Sequence, residues 1–407
     1  MIELTSDQLD ITRGMVDCFQ RNSLEVVKLT GYAGTGKTTI IKEFSNYYKT
    51  QRTRKIKVAY VTFTGKASSV LKSKISDIFD DKFDFCGTIH SMMYRPVVEK
   101  DRITGKSKVV RWDKRVDLDY DMIIVDEASM LPQDIYKDLR SYNIPMLLVG
   151  DHGQLPPVSE NQKSVLENPH FTLTEIHRQC KDNPIIQLSE YVRKQGVLPS
   201  LQIWSKEVFK FPWKHDKCQE LFNNVKLDGD VMMLCGFNKT RVKINQIIRD
   251  RLGFTMDDPY PGEKVICLRN NKTAGIMNGQ TGTLLLSIPL SKVISEMSIS
   301  MDGLEEVYQG KVDIRAFGKE SYQPDDNKYD PNNKGRRQVV KKKDEPKDLF
   351  EFGYCISVHK SQGSEWDNII MFDQRTSQWD DAYYAKWLYT GITRARNKLF
   401  IIGDCWI

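Results

Sequence analysis

The glycine-rich run GYAGTGKTT at residues 31–39 has the composition and spacing of a phosphate-binding loop. It follows an apolar, strand-like run and opens a segment with helical spacing. Glycines let backbone N–H groups close around a phosphate, and the amino terminus of a helix adds a favourable dipole. In such a loop Lys37 reaches the β and γ phosphates, and the Thr38 hydroxyl ligates Mg²⁺. The residues predicted to bind nucleotide here are Gly31, Gly34, Thr35, Gly36, Lys37, Thr38 and Thr39.

An acidic pair follows a second apolar run, in IIVDEASM at residues 123–130. Asp126 ends the predicted strand, so its carboxylate should emerge at the carboxyl edge of the sheet beside the phosphates. We interpret Asp126 as a Mg²⁺ ligand and Glu127 as the group that polarises the attacking water. The alternative is an Asp-Glu pair that only caps the next helix.

A third candidate is Gln154, in LLVGDHGQLPPV at residues 147–158. A further apolar strand ends in a Gly-Asp turn and places this amide just beyond the sheet edge. A neutral amide there can sense the γ phosphate or orient a water molecule. The alternative is a polar turn residue that precedes Pro156 and Pro157.

Short apolar runs alternate with helical segments, which predicts parallel α/β sheets to position these residues. In the first 150 residues the predicted strands are 24–30, 57–63, 121–127 and 144–150. The pattern returns at 231–237, 354–358, 368–372 and 398–402, which predicts a second α/β domain.

Two segments interrupt this alternation. Residues 95–115 carry eight basic and three acidic side chains around a T-G turn signal, and they predict a protruding basic hairpin. Residues 262–350 combine β-like runs with a turn-rich loop near 320–335 and the basic stretch 336–343, and they predict a small β-rich insertion. The alternative for both basic runs is a solvated charged surface.

Composition and charge exclude several classes of protein. Sixty Lys and Arg against 54 Asp and Glu give the 407-residue chain a net charge of +6, which permits a polyanionic partner without demonstrating one. A mean hydropathy of −0.48 and the lack of a long apolar run argue against a spanning helix. The polar, acidic start MIELTSDQLD is unlike a secretory signal. Eight dispersed cysteines without a CxxC pair indicate reduced thiols rather than a disulfide framework.

The runs DEASM (126–130) and GDHGQLPPV (150–158) beside the phosphate loop resemble superfamily 1 helicases, and more narrowly the RecD/Dda-like group. In VTFTGKAS, Phe63 stands where these relatives usually show proline. The run at 269–284 resembles the segment that leads into an SH3-like insertion in this group. Other runs resemble its remaining motifs in the expected order: LTSDQLD (4–10), VTFTGKAS (61–68), TIHSMM (88–93), LTEIHRQ (173–179), VHKSQGSEWDNI (358–369) and LYTGITRARNKL (388–399).

The resemblance implies further nucleotide-binding residues. Gln8 occupies the adenine-reading position, and Arg178 and Arg394 occupy the positions of two arginine fingers. Gly363 and Glu365 belong near the nucleotide edge of the fifth motif. The alternative for each arginine is a solvated or salt-bridged side chain.

The resemblance also implies contacts with nucleic acid. Hydroxyl and lysine side chains suit phosphate contacts, and Phe63 can stack on bases. Trp366 is a weaker stacking candidate, for which core packing is the favoured alternative. The residues predicted to bind DNA are Phe63, Thr64, Lys66, Thr88, His90, His359 and Lys360.

The implied fold class is α/β, with two RecA-like parallel-sheet motor domains. Residues 1–180 form domain 1A, interrupted by a β-hairpin at 94–115 (1B) that acts as a wedge. Residues 181–407 form domain 2A, interrupted by an SH3-like β-rich insertion at 262–350 (2B).

The implied function is a DNA helicase that uses ATP and Mg²⁺ and moves 5′→3′ along single strands. Its partners would be single-stranded and forked DNA, and replication or recombination proteins, with no membrane involved. We expect a monomer in the cytoplasm of a bacterium or of a phage host. Two alternatives stay open: an RNA-directed superfamily 1 helicase, and an accessory motor subunit of a nuclease complex.

Overall fold

The computed structural model describes most of the chain. The described residues are 4–21, 25–100, 107–156, 164–176, 182–200, 205–224, 230–254, 258–271, 274–276, 278–302, 306–322 and 348–403.

The chain forms nine α-helices and eighteen β-strands within these described ranges. The helices are α1 (Ser6–Gln20), α2 (Lys37–Thr50), α3 (Gly65–Lys74), α4 (Ile89–Met93), α5 (Gln133–Arg140), α6 (Pro184–Gln195), α7 (Asp216–Asn224), α8 (Asn238–Arg251) and α9 (Asp381–Ile392). The strands are β1 (Val26–Gly31), β2 (Val58–Thr62), β3 (Phe85–Thr88), β4 (Tyr94–Lys100), β5 (Ser107–Lys114), β6 (Met122–Val125), β7 (Met146–Gly150), β8 (Phe171–Leu173), β9 (Val208–Pro212), β10 (Val231–Cys235), β11 (Lys264–Cys267), β12 (Thr281–Pro289), β13 (Ile294–Met301), β14 (Tyr308–Asp313), β15 (Phe350–Phe352), β16 (Cys355–Ser357), β17 (Trp366–Phe372) and β18 (Ala395–Gly403). Short 3-10 turns lie at Ala128–Met130, Ile314–Ala316 and His359–Ser361.

The amino-terminal sheet has six parallel strands in the order β3-β2-β6-β7-β1-β8. Strands β2, β6 and β7 are buried along their whole length, as expected for a parallel sheet with both faces covered. Because β6, β7 and β1 are neighbours, the residues that follow each strand meet at one edge. This edge brings the phosphate-binding loop, the acidic pair and Gln154 together.

The carboxyl-terminal sheet has five parallel strands in the order β16-β10-β17-β18-β9. Helices α6 and α9 contribute to the apolar core on one of its faces, around the buried side chains of Leu188, Trp387 and Leu388. Helix α6 begins with the Asn183 cap and Pro184, and it ends at Gly196, whose φ of 75° suits a glycine. The prediction of two parallel α/β sheets is confirmed.

A five-stranded antiparallel sheet, in the order β14-β13-β12-β11-β15, lies in the chain between α8 and β16. Two buried ion pairs join α8 to it. Arg249 Nε lies 2.7 Å from Glu263 Oε1, and Arg241 pairs with Glu351. Breaking a buried pair on one side is costly, so these contacts fix the insertion to the helix. Its assignment as an SH3-like unit with bounds 262–350 stays a prediction.

Strands β4 and β5 form an antiparallel hairpin whose ladder runs from Tyr94↔Lys114 to Lys100↔Ser107. The Tyr94 hydroxyl and the Lys114 amine donate to the two oxygens of Asp138 on α5, at 3.0 and 2.9 Å. The hairpin is therefore anchored at its base, while its tip, 101–106, lies outside the described residues. The domain limits at 94–115 and at 180/181 stay predictions.

Within the described residues, no helix is both long and apolar enough to cross a lipid bilayer.

Candidate functional site

The loop between β1 and α2 has the backbone shape that phosphate binding requires. Gly34 and Gly36 have φ values of 77° and 80°, in the left-handed region that favours glycine. A Cβ on Gly31 would lie 2.5 Å from Thr35 Oγ1, so a larger residue does not fit there. Gly36 caps α2 without a side-chain hydrogen bond, and the first N–H groups of this helix therefore remain for a ligand.

Lys37 lies across the loop. Its Nζ donates to Gly31 O at 2.8 Å and to Tyr32 O at 3.0 Å, and it is 3.9 Å from Asp151 Oδ2. Thr38 and Thr39 follow on the first turn of α2 and are partly exposed. The lysine charge is thus held at the mouth of the loop, where a triphosphate would lie.

Gln8 joins helix α1 to the same loop. Its Nε2 donates to Thr35 O at 3.2 Å, and its Oε1 accepts from Thr5 N at 3.1 Å in a capping box. The side chain is buried. The structure therefore places Gln8 against the phosphate loop, and its predicted contact with adenine stays a prediction.

Asp126 and Glu127 follow β6 in a strained turn. Glu127 has φ 54° and ψ 37°, which costs energy for a residue with a side chain. Its backbone N–H donates to Asp126 Oδ1 at 2.9 Å. Glu127 Oε2 is buried and has no hydrogen-bond partner among the described residues. Such strain and an unpaired oxygen are typical of functional sites.

Electrostatics at the acidic pair favour a bound cation. Burial raises the pKa of Asp126, and burial together with the Asp126 charge raises the pKa of Glu127. The charges of Arg394 and Lys37 oppose the rise at Glu127 but do not cancel it. The carboxylate of Asp126 and the hydroxyl of Thr38 are oxygen ligands of the kind that Mg²⁺ prefers, so the residues fit this ion.

Gln154 lies in the loop that follows β7 and is buried. Its Oε1 has no hydrogen-bond partner among the described residues. The same holds for His152 Nδ1, two residues earlier, and for Ser129 Oγ, two residues after Glu127. Buried polar atoms rarely lack partners. Their concentration next to the phosphate loop indicates that a polar ligand completes this site.

Arg394 lies at the junction of α9 and β18 with 3% exposure. Its guanidinium donates to Thr390 O, Ser364 O and Thr393 Oγ1 at 3.0–3.2 Å, and no described carboxylate lies within ion-pair distance of it. A buried cation held only by neutral oxygens suits an anionic ligand. The other predicted finger, Arg178, lies outside the described residues.

Gly363 and Glu365 follow the 3-10 turn at His359–Ser361. A Cβ on Gly363 would lie 2.9 Å from Thr64 Oγ1, so this glycine approaches a predicted DNA-binding residue rather than the phosphate loop. Glu365 is exposed. Their predicted roles at the nucleotide stay predictions.

The two parallel-sheet units meet through contacts that the sequence did not reveal. The hydroxyl of Tyr389 on α9 reaches Asp151 and Ala33. The N–H of Leu155 donates to the Thr390 hydroxyl, and the carbonyl of Leu155 accepts from the Gln362 amide. The only available signal was the position of Tyr389 and Thr390 inside the run LYTGITRARNKL.

The predicted DNA-binding residues of the first unit cluster beyond β2 and β3. The ring of Phe63 lies 6.1 Å from the ring of His90, which stacks on Tyr94 at 5.8 Å. Thr64 and Thr88 cap α3 and α4 by accepting from Ala67 N and Ser91 N. The side chain of Lys66 lies outside the described residues. The cluster offers aromatic faces beside the base of the hairpin.

The candidates of the second unit lie on the 3-10 turn. His359 Nε2 lies 2.8 Å from the Tyr383 hydroxyl, and burial lowers the pKa of this histidine. Lys360 Nζ donates to Glu351 Oε1 at 3.3 Å. Trp366 packs in the core with 4% exposure, which favours its structural interpretation over base stacking.

Two family models match the chain. The AAA domain matches residues 18–160, and the UvrD-like helicase C-terminal domain matches residues 352–402. The first range contains the phosphate loop, the acidic pair and Gln154, and the second contains Lys360 and Arg394.

Similar proteins include the ATP-dependent RecD2 DNA helicase of Deinococcus radiodurans, which is 24% identical over 406 residues. That alignment covers 93% of this chain but 47% of RecD2, so the chain spans about half of that relative. The ATP-dependent DNA helicase dda of Enterobacteria phage T4 is 23% identical over 458 residues, with coverage of 97% and 99%.

The fold is similar to the Pif1 helicase from Bacteroides, solved in complex with ADP-AlF3 and ssDNA. The TM-score is 0.55 at 19% identity, and the superposition covers 100% of this chain and 94% of that one. The α/β architecture with parallel sheets thus resembles the motor domains of Pif1. The matched domains and the named relatives support a resemblance of the chain to the superfamily 1B helicases of the RecD/Pif1-like group.

Proposed function

We propose that the chain is an ATP-dependent DNA helicase that hydrolyses Mg-ATP between its two parallel-sheet units and moves 5′→3′ along single-stranded DNA. One observation carries the proposal: Lys37 and Arg394, from opposite units, both lie close enough for their charges to oppose the rise in the pKa of Glu127. Buried oxygens of Glu127 and Gln154 that have no hydrogen-bond partner among the described residues lie in the loops that follow β6 and β7. Cations and acceptors arranged in this way suit the charge that develops when a γ phosphate is cleaved. The named DNA helicases among the relatives support the same activity.

In this proposal each residue has one task. Lys37 and Arg394 neutralise charge on the γ phosphate, Glu127 polarises the attacking water, and Gln154 orients it. Thr38 and Asp126 would hold Mg²⁺, which supplies positive charge beside the β and γ phosphates.

Hydrolysis would be coupled to movement because the cations come from both units. Closing and opening of the cleft then changes the distance between the DNA contacts near Phe63 and those near Lys360. Phosphate contacts and aromatic stacking tolerate any sequence, which suits a motor that moves along a strand. We propose that the chain does this as a monomer in the cytoplasm, alongside replication or recombination proteins.

An RNA-directed helicase is the alternative that the same fold allows. We expect single-stranded DNA to raise the kcat of ATP hydrolysis by the purified chain about tenfold more than single-stranded RNA of the same sequence. The measurement is steady-state ATPase activity at matched nucleotide concentrations and fixed ionic strength. Stronger stimulation by RNA would assign the RNA-directed function instead.

The basic hairpin is the proposed wedge between the two strands of a duplex. Deletion of matched ladder residues between Val98 and Val109 should lower the unwinding rate about tenfold and change single-strand-stimulated ATPase activity less than twofold. The base of the hairpin, where Tyr94 and Lys114 hold Asp138, is left intact. Equal loss of both activities would show that the hairpin is only structural.

A further inference from the structure

Tyr389 lies where the two units touch at the phosphate loop. Its side chain is 2% exposed. The hydroxyl donates to Asp151 Oδ2 at 2.7 Å and accepts from Ala33 N at 2.7 Å. Burial and the nearby Asp151 charge raise the pKa of Tyr389, so the hydroxyl keeps its proton. One oxygen of the second unit thus joins two loops of the first.

Asp151 connects this hydroxyl to the catalytic lysine. It is fully buried, its Oδ1 accepts from Gly153 N at 2.9 Å, and its Oδ2 is 3.9 Å from Lys37 Nζ. The Tyr389 hydroxyl and the Lys37 amine therefore approach the same carboxylate oxygen. A buried carboxylate is stabilised by such donors. Loss of the hydroxyl would therefore strengthen the attraction between the Asp151 carboxylate and the Lys37 amine.

The loop that carries Gln154 is held at both of its ends by the second unit. Asp151 begins the loop and is bound by Tyr389. Leu155 ends it, with its N–H donating to Thr390 Oγ1 at 2.9 Å and its carbonyl accepting from Gln362 Nε2 at 2.8 Å. Contacts that exist only when the units are together thus fix both ends of this loop, and its interior is held within the first unit, where Gln154 N donates to Asp151 O at 3.2 Å.

We propose that Tyr389 is a positioning residue for ATP hydrolysis, and this rests on the proposed ATPase function. Its hydroxyl joins the phosphate loop to the loop of Gln154 and so aligns Lys37 and Gln154 with Arg394 of the second unit. It acts through Asp151 and Ala33, without a contact to the reacting atoms.

Tyr389→Phe removes one oxygen and keeps the ring, which forms a T-shaped pair with the ring of Tyr32, with centroids 6.1 Å apart. Tyr384→Phe is the matched control on the same helix. The Tyr384 hydroxyl also donates to a carboxylate, Asp373 Oδ1 at 2.5 Å, but has no contact with the phosphate loop. The two variants lose the same kind of bond at different places.

We expect Tyr389→Phe to lower the DNA-stimulated kcat about tenfold, as expected for a lost hydrogen bond to a charged group, with KM for ATP within about twofold. Tyr384→Phe should leave kcat within about twofold. An equal fall in both variants, or a fall in neither, would overturn the assignment. A change in Tyr389→Phe that affects only the KM for ATP, with kcat unchanged, would also overturn the assignment.

Amide hydrogen exchange gives a readout that needs no activity. The peptide that contains Ala33 should exchange faster in Tyr389→Phe than in wild type, and it should be unchanged in Tyr384→Phe. If the enzyme is active and exchange is unchanged in both variants, the positioning role of Tyr389 is overturned and the proposed function stays intact. A wild-type chain that hydrolyses no ATP would instead overturn the proposed function, and with it the positioning role.

Discussion

Lys37→Ala lowers the kcat of ATP hydrolysis by about 10³-fold in our account, because a cation aimed at the transferred phosphoryl group is worth this much. The Nζ of Lys37 already lies over the phosphate loop, bound to the carbonyls of Gly31 and Tyr32. Single-stranded DNA affinity should stay within about threefold, since the predicted DNA contacts lie elsewhere. The measurements are steady-state ATPase activity and fluorescence anisotropy with a labelled oligonucleotide.

Lys42→Ala is the control for this variant. Lys42 lies on the same helix and forms a surface ion pair with Asp77 at 2.6 Å, with 32% and 58% of the two side chains exposed. Exposed pairs contribute little to stability, so this change should leave both activities unaltered. Full ATPase activity in Lys37→Ala would disprove the assignment of residues 31–39 as the catalytic phosphate loop.

The second large effect is expected at Arg394. Its guanidinium is buried against three neutral oxygens, and its charge opposes the rise in the pKa of Glu127 in the other unit. Arg394→Lys keeps the charge but loses the planar fork, and we expect kcat to fall about 10³-fold, as for other arginine fingers. KM for ATP should change less than about threefold, because the lost contact forms mainly in the transition state.

The control is Arg396→Lys, two residues further along the chain. Arg396 pairs with Asp230 and Asp367 at the surface, with half of its side chain exposed. This variant should retain wild-type kinetics. Thermal unfolding of both variants separates catalysis from stability. A normal kcat in a stably folded Arg394→Lys variant would remove Arg394 from the catalytic set.

Local patterns were sufficient to predict that the loop at 31–39, the acidic pair and Gln154 lie at one edge of a parallel sheet. Each follows a buried parallel strand, and parallel strands present their carboxyl ends at one edge. The same reasoning found most strands of both sheets, but it overlooked β3, β8 and β9, which have only four, three and five residues. Short strands are stabilised by their neighbours, so their own sequence carries little signal.

Contacts between distant parts of the chain could not be predicted. The bond from Tyr389 to Asp151 joins residues 238 positions apart, and the bond from Gln362 to Leu155 joins residues 207 apart. Such pairs depend on how the two units dock, which residue type and periodicity do not specify. The left-handed backbone conformation of Glu127 could not be predicted from the sequence for a similar reason, because the surrounding structure imposes the strain.

The most direct test of the account is strand displacement by the purified chain with ATP and Mg²⁺, on duplexes that carry either a 5′ or a 3′ single-stranded tail. Our account predicts that only the 5′-tailed duplex is unwound, and that Lys37→Ala unwinds neither. Preferential unwinding of the 3′-tailed duplex would contradict the proposed direction of movement. An absence of unwinding on both substrates, with DNA-stimulated ATPase activity intact, would contradict the proposal that this chain is a helicase by itself.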